Sequence, residues 1–381
     1  MVQLAGDLVG LHGSDPATVY LSAAARIKKA ERTVPALERA LYDDRTLVRT
    51  LGMRRTMFAI PLDLVPIVQA ACTDALVAAE RRRLVQLIEG QGIAADGSRW
   101  LRAVEAKTIA ELDARGEATG AELSKSVSGL REQLSFGEGK KWAGKVGVST
   151  RLLFLLSAEQ RVVRGRPKGS WTSSQYRWSP MEAWIPGGVP SMPPDVARAE
   201  LLRRWLTTFG PATSTDVKWW AGWTVAQTKA ALGTVGAVEV ELDEGTGWVL
   251  PGDEGPTRAP KPWVALLPGL DPTTMGWKER DWYLGEHNQV LFDRNGNAGP
   301  TVWVDGRIVG GWTQRASGEV VHQLLDDVGR ESTTAIEVAA ADLERWLGDV
   351  RVTPRFPTPL QQTLSSDSAP ATPSYTAPGP D

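Results

Sequence analysis

The sequence predicts an α+β protein built from several modules, and three observations support this fold class. The order helix, glycine turn, helix, helix and hairpin occurs twice, with the turn glycines Gly116 and Gly210 94 residues apart. From about Pro256, short β-rich runs separated by Asp-Gly and Asn-Gly turns replace the helical pattern. At 381 residues, the chain is also too long for one ordinary hydrophobic core. We therefore expect two to four domains.

The repeated unit has the same predicted elements in both copies. In the first copy, the hydrophobic pattern predicts three helices and a hairpin, at residues 104–115, 121–127 and 149–159 and at 161–164 with 175–178. In the second copy, it predicts helices at 199–209, 214–221 and 224–232 and a hairpin at 237–241 with 247–250. Helix, tight turn, helix and hairpin is the order in which winged-helix modules address the grooves of a duplex. Both copies are interpreted as winged helices.

The N-terminal part predicts a third module of this kind. Residues 34–42 have a helical pattern, and two strand-like runs, 46–50 and 56–60, bracket Gly52 as a hairpin. A long helical stretch, 62–87, follows and ends near two closely spaced glycines. We therefore predict three tandem winged-helix modules, bounded at residues 1–90, 91–185 and 195–255. The proline-rich segment 186–194 is the linker before the third.

The C-terminal part is predicted to be a small β-barrel-like domain, residues 256–353. Strands are expected at 263–266, 289–292, 301–304, 307–312 and 350–352, with one helix at 335–347. The last segment, 354–381, is rich in Pro, Ser, Thr and Ala, a composition that buries too little apolar surface to order a chain. This tail is expected to be disordered.

Composition restricts the function classes. The net charge is only −2, but residues 1–170 carry +7 and residues 171–381 carry −9, so contact with a polyanion is expected in the first half. Cys72 is the only cysteine, in an apolar helical context, which excludes an internal disulfide and predicts a buried side chain. No metal-ligand spacing and no phosphate-binding loop is found, so neither a metal nor a cofactor is expected.

The N-terminus and the hydropathy pattern indicate where in the cell the protein is expected. The N-terminal apolar stretch has no preceding basic residue and contains Asp7, which does not fit a secretory signal. No apolar run approaches the roughly 18 residues that a membrane span needs. We expect a cytoplasmic monomer with no membrane partner, associated with the nucleoid if it binds DNA.

Three stretches carry a resemblance to a known family: LVGL followed by HGSDP, LLPGLDPTTMGWKERDW, and GPTVWVDGRIVGGW. From Leu8 to about Arg355 the chain resembles the winged-helix DNA-binding family that includes the AlkZ and YcaQ glycosylases. The resemblance implies three tandem winged helices and a β-barrel around a DNA channel. It also implies a monofunctional DNA glycosylase that acts without a cofactor on alkylated bases, including crosslinked ones, in double-stranded DNA. Because members usually have a helix before the stretch equivalent to residues 7–11, the first module is expected to lack part of its N-terminus.

The resemblance places the catalytic motif at His12, Gly13 and Ser14. The family has a glutamine, a small or apolar residue, and then glutamine or aspartate, so neither polar position is retained. The family uses them to hold a water and the charge that develops at the sugar. An imidazole at His12 can accept a proton from water near neutral pH, Ser14 can position that water, and Asp15 can orient His12 or stabilise the oxocarbenium. The same residues also fit an ordinary helix start, with Ser14 or Asp15 as N-cap and Pro16 in the first turn.

Basic side chains cluster on the predicted hairpins and in one glycine-rich loop of the first half. Such clusters are commonly solvated surface, but their place on presumed wings favours contact with phosphates. The predicted DNA-binding residues are Arg54 and Arg55, Lys140, Lys141 and Lys145, and Arg161, Arg164, Arg166 and Lys168.

Two other functions remain open. The altered triplet, and modules that in general recognise DNA sequence, favour a non-catalytic DNA-binding protein or transcriptional regulator, although neither a dimerisation helix nor an effector pocket is evident. The second half contains 14 of the 16 tryptophans, which also allows a protein that sequesters a genotoxic small molecule.

Overall fold

A computed structural model describes residues 1–29, 31–137, 139–140, 143–243 and 245–366. The α-helices are α1 Val2–Asp7, α2 Pro16–Ala24, α3 Val34–Glu38, α4 Val65–Val68, α5 Asp74–Gly90, α6 Gly97–Arg115, α7 Gly120–Ser126, α8 Val148–Ala158, α9 Pro194–Phe209, α10 Ser214–Ala221, α11 Val225–Val235, α12 Asp281–Leu284, α13 Asn288–Leu291, α14 Gly329–Leu347 and α15 Pro359–Leu364. The strands are β1 Leu11–His12, β2 Leu47–Leu51, β3 Met57–Pro61, β4 Ala118–Thr119, β5 Gln133–Phe136, β6 Gly144–Gly147, β7 Val162–Pro167, β8 Tyr176–Pro180, β9 Ala212–Thr213, β10 Val238–Leu242, β11 Gly245–Val249, β12 Val264–Leu267, β13 Thr301–Val304, β14 Arg307–Gln314 and β15 Val320–Leu324.

The chain folds into two compact units, each made of separate segments. The first contains Met1–Gly10, Val34–Arg204 and Ala221–Val235. The second contains Leu11–Thr33, Trp205–Trp220 and Gly236–Asp381. These two units do not correspond to the successive modules predicted from the sequence. The boundaries of those modules therefore stay a prediction.

The first unit contains the hairpin predicted around Gly52. Strands β2 and β3 pair antiparallel, from Leu47 opposite Pro61 to Leu51 opposite Met57. The helical stretch 62–90 follows, interrupted by a π-helical turn at Gln69–Thr73. By length and composition this stretch could span a membrane, but core helices pass the same test, and 44% of its apolar window is buried inside the protein. The absence of a membrane partner remains a prediction.

Helices α6 to α8 of the first unit pack on a three-stranded sheet in the order β4-β8-β7. Their apolar faces form one core, in which Leu101, Leu112, Leu123 and Leu152 are fully buried. Burying each such side chain contributes about 1.5–3 kcal/mol before the entropy cost of ordering it. The hairpin β5–β6 lies in this region and was not predicted, because only Leu134 of its first strand is buried and the alternation is weak.

The repeated turn has the same cap in both copies. Thr119 and Glu122 form a reciprocal capping box at the start of α7. At α10, the Thr213 amide donates to Asp216 Oδ2 at 3.0 Å and the Asp216 amide donates to Thr213 Oγ1 at 3.2 Å. Each box satisfies two backbone N–H groups that the first helical turn leaves without partners. The short helices predicted after Gly116 and Gly210 are confirmed.

The predicted C-terminal barrel is wrong. In the described residues, the second unit has an open antiparallel sheet of four strands in the order β12-β13-β14-β15. Helix α14 packs on β12 and β15, and helix α15 packs on β14 and β15. Because helices cover the sheet and seven of the eight residues of β14 are buried, the apolar surface needs no closure into a barrel.

Three other predictions in this part need correction. Residues 288–291 form helix α13 rather than a strand, since a short apolar run does not distinguish the two. Residues 350–352 are not a strand, because the Gln314 side chain occupies their backbone groups: it donates to the Val350 carbonyl at 3.0 Å and accepts from the Val352 amide at 2.9 Å. Residues 359–364 of the predicted disordered tail form helix α15, and 367–381 lie outside the described residues.

Lowering the pH should destabilise the fold through His322, which pairs with Trp312 across the sheet. Burial lowers the pKa of His322 in the folded state, and the charge of Glu337 offsets this only in part. As the pH falls below about 6.5, the unfolded chain therefore takes up this proton before the folded protein does. The free energy of unfolding, measured in urea from pH 7.5 to 5.0, should fall less steeply for His322→Gln than for wild type. Equal slopes would contradict this prediction.

Candidate active site

The three candidate catalytic residues lie just before and at the cap of helix α2. His12 ends strand β1 and is 3% exposed, whereas Ser14 and Asp15 are half-buried. The Ser14 amide donates to His12 Nδ1 at 3.5 Å, the long limit of a hydrogen bond. The backbone therefore holds the imidazole close to the hydroxyl-bearing residue. All three side chains lie in the second unit.

Asp15 is the N-cap of α2. One carboxylate oxygen accepts from the Ala17 amide at 3.0 Å, and Pro16 takes the first helical position. The other oxygen accepts from the Arg355 amide at 3.1 Å, and the Arg355 guanidinium donates to the Ser14 carbonyl at 3.1 Å. The interpretation of this segment as an ordinary helix start is therefore confirmed for Asp15. A carboxylate has about four acceptor positions, so these bonds leave room for another partner.

A partly open cleft lies beside Asp15, within the second unit. Its cavity volume is about 40 Å³, more than one water needs, since a single water occupies roughly 10–15 Å³ by this measure. The walls are mostly apolar, with Asp15 and Arg355 among the polar side chains. Arg355 was not predicted, because it is 340 residues from Asp15 along the chain and no local pattern marks it. The apolar and aromatic lining includes Leu21, Pro268, Pro300, Trp312 and Phe356.

Several of the predicted DNA-binding arginines are engaged in ion pairs within the protein. Arg55, on the 3₁₀ turn between β2 and β3, pairs with Glu80 at 2.6 Å. Arg161 lies 3.4 Å from Glu105. Arg166 pairs with both Glu38 at 2.7 Å and Asp43 at 2.9 Å. These side chains would have to give up carboxylate partners to reach a phosphate.

The remaining predicted residues differ in exposure. Arg164 is half-buried, with its guanidinium 5.4 Å from the centre of the Tyr176 ring, and Arg54 is half-buried on the 3₁₀ turn. Lys140, Lys145 and Lys168 are exposed. Lys140 lies in the β5–β6 turn, Lys145 in β6, and Lys168 just after β7; Lys141 lies outside the described residues. The three exposed lysines are therefore the strongest candidates for phosphate contact.

Replacing these three lysines should weaken binding to duplex DNA and make it less dependent on salt. For every phosphate that the variant no longer neutralises, the slope of log K against log salt concentration should become shallower by about 0.9. The change is Lys140→Gln, Lys145→Gln and Lys168→Gln together, and the measurement is fluorescence anisotropy over a range of NaCl concentrations. Lys261→Gln, Lys278→Gln and Arg330→Gln, also exposed but outside the three predicted modules, remove the same charge and serve as the control. Equal slopes for both triple variants would contradict the assignment.

Comparison with known proteins agrees with the family resemblance. The family model for the AlkZ-like DNA glycosylases matches residues 5–346. Among solved structures, the chain is similar to the Streptomyces sahachiroi DNA glycosylase AlkZ, with a TM-score of 0.67, 20% sequence identity and 92% of each chain covered. No curated protein sequence matches the chain. Because the family model covers far more than half of the sequence, this protein belongs to the AlkZ-like DNA glycosylase family.

Proposed function

We propose that this protein excises alkylated, bulky or crosslinked bases from double-stranded DNA by hydrolysing the N-glycosyl bond. The observation that carries the proposal is the match of the family model to residues 5–346, which includes the candidate triplet near its beginning. The likeness to AlkZ, at 20% identity, supports the fold only. The proposal takes the protein to act as a monomer without a cofactor.

An alkylated base already carries a positive charge, so it can leave without being protonated by the protein. Alkylation at a ring nitrogen makes the base cationic, so the glycosyl bond breaks towards an oxocarbenium ion. The Asp15 carboxylate stabilises that cation electrostatically, and His12 and Ser14 hold the attacking water. The base leaves as a neutral molecule with the electron pair of the glycosyl bond. The water adds its oxygen to the anomeric carbon, keeps one proton as the new sugar hydroxyl, and gives the other to His12 and then to the solvent.

The order of elements supports three winged-helix modules. Helix, short strand, helix, helix, strand and strand occur at α1 to β3, at α6 to β8 and at α9 to β11. In the second series the hairpin β5–β6 is inserted before the third helix. We propose that these modules, with boundaries near 1–90, 91–185 and 195–255, carry the DNA contacts.

One observation favours the second candidate function, a DNA-binding protein without catalysis. Both carboxylate oxygens of Asp15 accept backbone N–H groups, which is sufficient reason for an aspartate at this position. In addition, His12 and Ser14 stand where the family has other polar residues. A non-catalytic protein would bind duplex DNA and leave every glycosyl bond intact.

The test is a single-turnover assay with excess protein on a duplex that carries one labelled 7-methylguanine. Release of free base, separated by chromatography, is the expected result. A second duplex carries a bulky purine adduct. Release from this duplex alone would show that the protein is catalytic but that 7-methylguanine is not its substrate. Tight binding of both duplexes without release from either would support the non-catalytic alternative, and failure to bind would reject both functions.

A further inference from the structure

Helix α2 and the turn that follows it carry three polar side chains at four-residue spacing, Thr18 and Ser22 in the helix and Arg26 two residues after its end. Thr18 and Ser22 lie on one face, because residues four apart are stacked along a helix, and the Arg26 guanidinium returns to that face, where it donates to the Ser22 carbonyl at 2.9 Å. All three bond to the loop after β12. Thr18 Oγ1 donates to the Gly269 carbonyl at 2.7 Å, and Ser22 Oγ donates to Asp271 Oδ2 at 2.7 Å. The loop therefore contacts α2 at two successive turns and at Arg26 just beyond its end.

Asp271 is the centre of these contacts. It is 0% exposed, and the Arg26 guanidinium donates to both of its oxygens, at 2.8 and 2.7 Å. Together with Ser22 and the Thr273 amide, which donates at 2.9 Å, these bonds fill the four acceptor positions of the carboxylate. Burial alone would lower the pKa of Arg26, but the charge and hydrogen bonds of Asp271 outweigh it and raise that pKa.

The four hydrogen bonds to the Asp271 carboxylate fix the direction of α2 more than they add to the free energy of unfolding. A buried ion pair loses in desolvation much of what it gains in Coulomb attraction, so its net contribution to folding is small. A bidentate pair with two further donors nevertheless allows only one orientation of the helix against the loop. Ser14 and Asp15 immediately precede the first residue of that helix, and the Ser14 amide bonds to His12.

We propose that Asp271 is a positioning residue for the candidate triplet, acting through Ser22 and Arg26 on helix α2, whose N-cap is Asp15. This inference rests on the proposed function, in which His12, Ser14 and Asp15 act on the sugar. Asp271 itself need not touch the substrate. Loss of its charge leaves Arg26 without a counter-ion and lets α2 shift, and the triplet shifts with it. Misplacement by about 1 Å is enough to lower a rate by roughly 100-fold.

The chain offers a matched control for loss of a buried ion pair. Asp342 is 7% exposed and pairs with Lys29 at 2.9 Å, with Arg345 at 3.4 Å and with Arg32. It lies in the same unit but makes none of these contacts to α2. Asp342→Asn should therefore cost stability as Asp271→Asn does without moving the triplet.

The experiment uses the three histidines of the full chain as reporters. Histidine-labelled wild type, Asp271→Asn and Asp342→Asn are compared by NMR, with each imidazole assigned by single substitution. Asp271→Asn should shift the His12 signals and leave those of His287 and His322 unchanged, and Asp342→Asn should leave His12 unchanged. Ser22→Ala, which removes one of the four bonds to Asp271, should give a smaller His12 shift and is decisive if Asp271→Asn does not fold.

Single-turnover base release and DNA affinity are measured on the same variants. Asp271→Asn should release base at least about 10-fold more slowly than Asp342→Asn, with DNA affinity within twofold of wild type. Wild-type His12 signals in folded Asp271→Asn, or in folded Ser22→Ala if Asp271→Asn does not fold, would overturn the inference. If the wild type releases no base but His12 still shifts as expected, the positioning role stands and the proposed glycosylase function fails.

Discussion

Replacing His12 with alanine is expected to lower the single-turnover rate of base release by about 10²- to 10⁴-fold, the usual contribution of a positioned acid–base group. DNA affinity should stay within about twofold, because the side chain is 3% exposed and offers little surface to a phosphate. The measurement is release of labelled 7-methylguanine under single-turnover conditions, with DNA affinity measured separately. Ser14→Ala should lower the rate less, since the hydroxyl only orients the water.

Two further variants make the His12 result interpretable. His287→Ala removes a half-buried imidazole that is 2.9 Å from Asp326 and far along the chain from α2, and it should release base at the wild-type rate. His12→Gln introduces the residue type that the family has here, and it should retain much more activity than His12→Ala. An unchanged rate for His12→Ala would remove His12 from the mechanism. Loss of DNA affinity in the same variant would show that the residue supports folding or binding instead.

Trp205→Ala is expected to lower the free energy of unfolding by about 3–5 kcal/mol, the usual cost of truncating a buried tryptophan. Trp205 is 1% exposed and packs between Phe209, at a ring-centre distance of 5.8 Å, and Trp220, at 5.4 Å. Phe209 in turn meets the Trp277 ring edge-on at 5.2 Å. Truncation of the indole therefore leaves a cavity in an aromatic cluster that holds several elements of the second unit together.

The loss in the free energy of unfolding caused by Trp205→Ala is measured by chemical denaturation, with circular dichroism as the signal. Trp282→Ala is the matched control, because the same substitution removes a side chain that is 49% exposed, so its cost should be about half that of Trp205→Ala or less. Trp205→Phe should fall between the two if Trp205→Ala does not fold. Similar costs for Trp205→Ala and Trp282→Ala would contradict the packing argument.

The burial of these tryptophans also bears on whether the tryptophan-rich second half could bind a small molecule. Trp205, Trp220, Trp223, Trp303 and Trp312 are all buried, so much of the aromatic content serves the core. Trp312 also lines the cleft beside Asp15, and Trp277 and Trp282 line a separate open cavity of about 840 Å³ in the same unit. Sequestration of a genotoxin therefore stays a prediction, although membership of a DNA glycosylase family favours action on DNA.

The sequence alone predicted the elements whose signals are local. The hairpin around Gly52 and the helices after Gly116 and Gly210 follow from periodicity and turn glycines. The sequence placed the cap of α2 at Ser14 or Asp15, before Pro16, and the structure has it at Asp15. Family membership was also within reach of the sequence, since its motifs are short and contiguous. Each of these signals needs only residues that are neighbours along the chain.

Tertiary structure decided what depends on distant partners. Whether four short strands close into a barrel depends on which helices cover them, and α14 and α15 make closure unnecessary. Whether an arginine is available to DNA depends on carboxylates far along the chain, as Arg166 with Glu38 demonstrates. The orientation of α2 depends on Asp271, 245 residues beyond Arg26. Periodicity and spacing along the chain carry no information on such pairings, because burial and charge compensation are properties of the folded chain.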